Sequence, residues 1–123
     1  MQNLIRLIRP DNFMDEVFSV SKPVLLLCMP HDADFPSQLK LMEDIAGQHK
    51  SWLKVGMLAE AFTEYFKNKF DIPGTPTFLI LLKGKEKNRM LGLVDLQALE
   101  NFILETLRQE DVSAAAGLST HSV

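Results

Sequence analysis

Apolar residues occur in short blocks along the chain, and the spacing within each block indicates a strand or a helix. Leu4 to Ile8 is an apolar run ahead of Pro10, which predicts an edge strand. A short helix capped by Asp11 or Asn12 is expected to follow. The uninterrupted run Val24-Leu25-Leu26-Leu27 then predicts a central strand, because a strand without a polar side must be covered on both faces.

The rest of the chain continues to alternate between strand and helix. Residues 35–48 predict a long helix, 52–58 a strand, and 61–70 a helix with an aromatic stripe. A segment with two prolines and a glycine, 73–77, leads into a strand at 78–82, and a turn at Lys83-Gly84-Lys85 joins this strand to a partner. A final helix begins after Asp95. The predicted order is β-α-β-α-β-α-β-β-α, an α/β fold with a central mixed sheet flanked by helices.

The pattern of small and polar residues divides the chain into one domain and a tail. Residues 1–109 contain all the predicted strands and helices, and no internal repeat or second boundary appears within them. Residues 110–123 are mostly polar and small, with too little apolar content to hold a packed position. The sequence therefore predicts a single domain, residues 1–109, followed by a mobile tail, residues 110–123.

Composition and charge exclude some partners without naming one. The net charge of -3 gives no electrostatic reason to expect nucleic acid or an anionic membrane. No apolar run approaches the length of a membrane span, and arginines interrupt the N-terminal run, unlike a signal peptide. The single cysteine, Cys28, excludes an intramolecular disulfide and suits a reducing, cytoplasmic location. No cofactor is expected.

The loop before the fourth predicted strand carries a family resemblance. Its sequence Gly74-Thr75-Pro76-Thr77 is similar to the loop in which thioredoxins hold a cis-proline. The order of elements, the turn at Gly84 and the position of Gly92 ahead of the last helix also resemble the thioredoxin family, over roughly residues 4–107. The resemblance implies a thioredoxin-like fold.

The two-cysteine motif of that family is absent. Matching residues 41–46 to the family's helix places Asp32 and Phe35 at the two cysteine positions, and Leu26 at the position of the buried acid. Disulfide exchange requires a thiolate that attacks. The chain is therefore not expected to act as a dithiol-disulfide oxidoreductase.

A shifted alignment gives Cys28 another interpretation. It sets Cys28 on the first cysteine, Pro30 on the usual proline and His31 on the second cysteine. A neighbouring protonated histidine lowers a thiol pKa, so a single-cysteine thiol oxidoreductase or redox sensor is an alternative function, with His31 as activator. The competing interpretation is a buried cysteine at the end of a strand.

The polar loop at 31–34 and the basic hairpin have simpler interpretations. His31, Asp32 and Asp34 show no recognised spacing of metal ligands, and no metal site is expected. Asp34 or Asp32 is expected to cap the next helix, which leaves His31 solvated. The alternation of basic residues along the hairpin predicts either a small basic strip on one side or a solvated turn whose charges protect a sheet edge. Its basic residues are Lys83, Lys85, Lys87 and Arg89.

Taken with the resemblance, these features predict a binding surface in place of a redox centre. In the thioredoxin family the backbone beside the loop proline pairs with an extended peptide, a form of strand addition. A redox-inactive, chaperone-like module that binds a protein or extended peptide is the predicted function, and a purely structural domain is a further alternative. The predicted binding residues are His31, Asp32, Asp34, Phe35, Thr75, Pro76, Gly92 and Leu93.

Overall fold

A computed structural model describes the backbone of residues 4–121 and the side chains of residues 4–110. Its strands are β1 (Ile5–Ile8), β2 (Val24–Cys28), β3 (Lys54–Leu58), β4 (Thr77–Leu82) and β5 (Lys85–Leu91). Its helices are a π-helical segment (Met14–Phe18), α1 (Phe35–Gln48), α2 (Glu60–Lys69) and α3 (Leu96–His121). The predicted α/β order of strands and helices is confirmed.

The five strands form one mixed sheet in the order β1-β3-β2-β4-β5. β1 and β2 run parallel to β3, whereas β4 runs antiparallel to both β2 and β5. The carboxyl ends of β1, β2, β3 and β5 and the amino end of β4 therefore share one end of the sheet. This end is called the carboxyl end below.

β2 is the central strand that its apolar run predicts, and every one of its residues is buried. Successive side chains point to opposite faces, so Leu25 and Leu27 enter one core and Leu26 and Cys28 the other. α1 and α3 cover the first face, while α2 and the π-helical segment cover the second. Burying one such leucine contributes about 1.5–3 kcal/mol.

The first helical segment differs from its prediction. It is the π-helical turn Met14–Phe18, and within the described residues no side chain caps it. The prediction of a cap at Asp11 or Asn12 is wrong, because the Asn12 side chain forms its hydrogen bonds with residues that precede it, at the end of β1. Its Oδ1 accepts the Arg9 N–H at 2.7 Å, and its Nδ2 donates to the Leu7 carbonyl at 3.0 Å.

The last helix is longer than the sequence pattern indicates, since α3 continues to His121. The side chains of residues 111–123, and residues 122–123 entirely, lie outside the described part of the chain. The predicted mobility of the tail, 110–123, therefore stays a prediction. Among the described helices, none combines the length and the apolar character needed to cross a membrane.

The basic residues of the hairpin do not form a strip on one side. A one-residue bulge at Lys87 interrupts the pairing of β5 with β4, which places Glu86 and Arg89 on the same face. Arg89 donates from Nε and Nη2 to the Glu86 carboxylate at 2.6 and 2.7 Å. Lys87 pairs instead with Glu110 of α3 at 2.8 Å. The bulge thus directs these cations to different partners.

Arg89 also connects the edge strand to the end of α2. Its guanidinium donates to the Phe70 carbonyl at 2.8 Å and to the Asp71 carbonyl at 3.0 Å. Carbonyls at a helix end lack partners within the helix, and Asp71 has a positive φ of 53° that ends the helical path. Arg89 therefore holds the chain reversal that precedes β4.

The turn between β4 and β5 requires glycine at its second position. Lys83 and Gly84 have φ values of 53° and 81°, the positive values typical of a two-residue hairpin turn. The ring of Phe18 lies directly against Gly84, so that an added Cβ would overlap it. Both the backbone conformation and the packing of the π-helical segment thus depend on this glycine.

We expect Gly84→Ala to lower the free energy of unfolding by about 1–3 kcal/mol, because the new methyl group clashes with Phe18 at a positive φ. Gly47→Ala is the matched control, since a Cβ there meets nothing within 4 Å and the residue lies inside α1. This control should raise stability by roughly 0.5–1 kcal/mol. Urea denaturation followed by circular dichroism measures both, and equal effects would contradict the packing at Gly84.

Candidate functional site

Three segments of the predicted binding surface meet at the carboxyl end of the sheet. Thr77 pairs with Cys28 on one side and with Leu91 on the other. The loop after β2, the loop before β4 and the segment after β5 are therefore neighbours. The Gly92 N–H donates to the Pro76 carbonyl at 2.8 Å and joins two of them directly. The peptide bond before Pro76 is cis.

His31 fastens the loop after β2 to the neighbouring strand and helix. Its Nε2 lies 3.2 Å from the Leu58 carbonyl at the end of β3, and its backbone N–H donates to Glu60 Oε1 at 3.3 Å. The imidazole stacks on the Phe35 ring with the centroids 4.0 Å apart. The expectation of a solvated His31 is wrong, because its half-buried ring contacts Leu58 and Phe35 while its backbone N–H bonds to Glu60.

Asp32, and not Asp34, satisfies an amide where α1 begins. Its Oδ1 accepts the Asp34 N–H at 3.0 Å, while the Asp34 side chain makes no cap bond. Both carboxylates are exposed, and they lie beside the first turn of α1. In the described part of the chain, no three His, Cys, Asp or Glu residues lie close enough together to hold a metal ion.

Gln38 fixes the segment after β5. This residue was not identified from the sequence. Its side-chain amide donates to the Val94 carbonyl and accepts the Val94 N–H, both at 3.3 Å. Gln38 is only 4% exposed, and a buried amide needs such partners. The available signal was its position four residues before Met42, in the buried stripe of α1. Gln38 thus holds the chain that follows Gly92 against α1.

The surface between these segments combines apolar side chains with free backbone. Leu91 and Leu93 are 57% and 56% exposed, and Gly92 lies between them with φ at 114°. Thr75 is half-buried, and among residues 4–110 its backbone N–H and carbonyl form no hydrogen bond. Backbone groups next to exposed leucines are suited to bind an extended chain.

Cys28 does not belong to this surface. It is the last residue of β2, has no solvent exposure, and packs in the core with Phe62, Phe66 and Leu79. Burial raises the pKa of the thiol to about 11, with a smaller opposing effect of the Lys67 charge. The interpretation as a buried strand-end cysteine is confirmed, and the geometry opposes a thiolate activated by His31.

The fold and the site define a mixed α/β protein with a thiol-free surface at the carboxyl end of a five-stranded sheet. No family model matches the chain, and no curated protein matches it. The chemistry of this surface is therefore the basis on which a function can be proposed for the chain.

We expect the native Cys28 thiol to react with iodoacetamide at pH 8 about a hundredfold more slowly than in the urea-unfolded chain. The reason is that the thiolate is the nucleophile, and a pKa raised by roughly two units depletes it by that factor. Mass spectrometry of labelled protein over time measures both rates. Similar rates in the two states would show that Cys28 is accessible and ionisable.

Proposed function

We propose that this chain is a thioredoxin-like, redox-inactive domain that binds an unfolded protein or extended peptide, as a chaperone-like module. The observation that carries the proposal is the juxtaposition of free backbone at Thr75 with the exposed Leu91 and Leu93. A partner strand that pairs with Thr75 would cover these leucines at the same time. The binding surface is the carboxyl end of the sheet.

Two features support the thioredoxin-like part of the proposal. The strands and helices occur in the order expected of that family, around a mixed sheet. The loop before β4 also lies beside the loop after β2 through the pairing of Thr77 with Cys28. This is the juxtaposition that the resemblance implies for a peptide groove.

The redox-inactive part is supported by the side chains present. Asp32 and Phe35 occupy the positions that correspond to the two cysteines, and Cys28 is buried in the core. An exposed carboxylate and an aromatic ring stacked on His31 offer no nucleophile for disulfide exchange. The surface therefore has binding groups without redox chemistry.

Approximate energies indicate which contacts dominate binding. Each backbone hydrogen bond to Thr75 contributes about 0.5–1.5 kcal/mol, whereas covering one exposed leucine contributes up to about 1.5–3 kcal/mol. Ordering and association costs offset much of this gain. We therefore expect weak, transient binding that depends mainly on Leu91 and Leu93.

The charge at the same end defines the partner further. Asp32, Asp34 and Glu60 are all exposed there, and Glu60 lies within hydrogen-bonding distance of the His31 N–H. Like charges on a partner would be repelled, and opposite charges would be attracted. The preferred segment is therefore extended and apolar, with flanking lysine or arginine.

We expect Leu93→Asp to weaken binding of a reduced, carbamidomethylated unfolded protein about tenfold, because it replaces an apolar contact by a charge. Amide shifts of the labelled chain during the titration measure the affinity and locate the contact. The perturbed amides should cluster at residues 31–35, at Thr75 and at 92–93.

Leu104→Asp is the control for this experiment. Leu104 is 56% exposed, like Leu93, but it lies eight residues into α3, about 12 Å along the helix axis. Its substitution should leave the affinity within about twofold, as for surface changes away from a contact. Equal losses in both variants, or shifts spread evenly over the chain, would contradict binding at the carboxyl end.

We expect the double variant Asp32→Cys with Phe35→Cys to form an intramolecular disulfide under mild oxidation. The two positions flank the start of α1, where a helix N-terminus favours the thiolate. The measurements are free-thiol counting in the native protein and the acceleration of insulin reduction by dithiothreitol. The two single variants serve as controls, and exclusive dimer formation by the double variant would contradict the thioredoxin-like alignment.

A further inference from the structure

A second surface lies at the other end of the sheet, where β2 and β3 begin. A pocket of about 190 Å³ is lined there by four basic residues: Arg6, Lys22, Lys50 and Lys54. They come from three separate segments: Arg6 from β1, Lys22 from the approach to β2, and Lys50 and Lys54 from the approach to β3 and its first residue. The buried Leu53 forms part of the apolar wall.

The positive charges at this pocket are only partly compensated. Glu16 Oε1 lies 2.6 Å from Lys54 Nζ and 3.6 Å from Arg6 Nε. The hydrogen bond from Lys54 and the charges of Arg6 and Arg9 lower the pKa of the Glu16 carboxyl, which is ionised at neutral pH. Lys22 and Lys50 are exposed, and neither forms an ion pair with any residue between 4 and 110. Four cations thus face one carboxylate.

This local excess is opposite in sign to the net charge of the chain, which is -3. Like charges that line one concavity repel each other, and a bound anion removes that repulsion. The pocket is smaller than the roughly 300–1,000 Å³ of a drug-sized site. Its size and charge therefore suit a compact anion.

We propose that this pocket binds a small ligand that carries a phosphate group. Lysine ammonium groups and an arginine guanidinium are the usual cationic partners of phosphate oxygens. The free Lys22 and Lys50 would supply the principal contacts, because Lys54 and Arg6 already share Glu16. The apolar wall at Leu53 offers a place for an organic substituent on the phosphate.

The test titrates the labelled full chain with inorganic phosphate and, separately, with phenyl phosphate, at constant ionic strength. We expect saturable amide shifts around residues 22, 50, 53 and 54 with either probe. Tighter binding of phenyl phosphate would identify an organic phosphate as the ligand class, and equal binding would identify free phosphate. Shifts that increase linearly without saturation would overturn the proposal.

Lys22→Gln and Lys50→Gln should each lower the affinity about threefold to fivefold, the effect of one partly exposed ion pair. Lys85→Gln, at an exposed position in the hairpin, makes the same change in net charge and should leave the affinity unchanged. Without anion, none of the three variants should unfold at a lower temperature than the parent, because each replaces an exposed lysine by a neutral side chain and two of them remove a repelling charge from the pocket. An equal loss of affinity in the Lys85 variant would show general charge attraction and overturn the proposal.

Discussion

The burial of β2 on both faces is the constraint on which the rest of the structure depends. All five of its residues are removed from water, so each face of the sheet needs its own cover. α1 and α3 provide one cover, and α2 with the π-helical segment provides the other. Because β2 pairs with β3 and β4, the same two covers also bury residues of these neighbouring strands.

The same constraint separates the cysteine from the binding surface. Cys28 ends β2 with its side chain in one core, while the chain that leaves β2 turns outward toward α1. The thiol is therefore buried a few residues before the exposed loop residues 32–34. Burial also disfavours the thiolate, so the one sulfhydryl of the chain is adjacent to the site without being available to it.

Apolar packing brings the loops to the carboxyl end, and polar contacts then fix their conformations. The Gln38 amide holds the Val94 backbone, the His31 ring reaches the Leu58 carbonyl, and Arg89 holds the end of α2. Each contact satisfies backbone groups at or just beyond the end of a strand or helix. The two ends of the sheet also differ in charge, with exposed carboxylates at one end and uncompensated lysines at the other. A protein partner and a phosphate ligand would therefore bind at opposite ends.

Local pattern by itself determined the order of strands and helices and the central position of β2. Hydrophobic periodicity carries this information because it reports which side of each element faces water. For Cys28 the local pattern left a reactive thiol and a buried residue as alternatives, and the structure decided for burial. The resemblance at Gly74 to Thr77, and not the periodicity, implied which three segments are candidates for a binding surface. The absence of a second cysteine was likewise a fact of the sequence.

Only the tertiary structure decided the contacts of individual polar side chains. Asn12 bonds to the end of β1 instead of capping a helix, and His31 is held where solvation was expected. Gln38 and Val94 are 56 residues apart, and Arg89 and Phe70 are 19 apart. A polar side chain takes whichever partner the packed fold brings within about 3 Å. That partner is set by the geometry of the sheet, which periodicity along the chain does not contain.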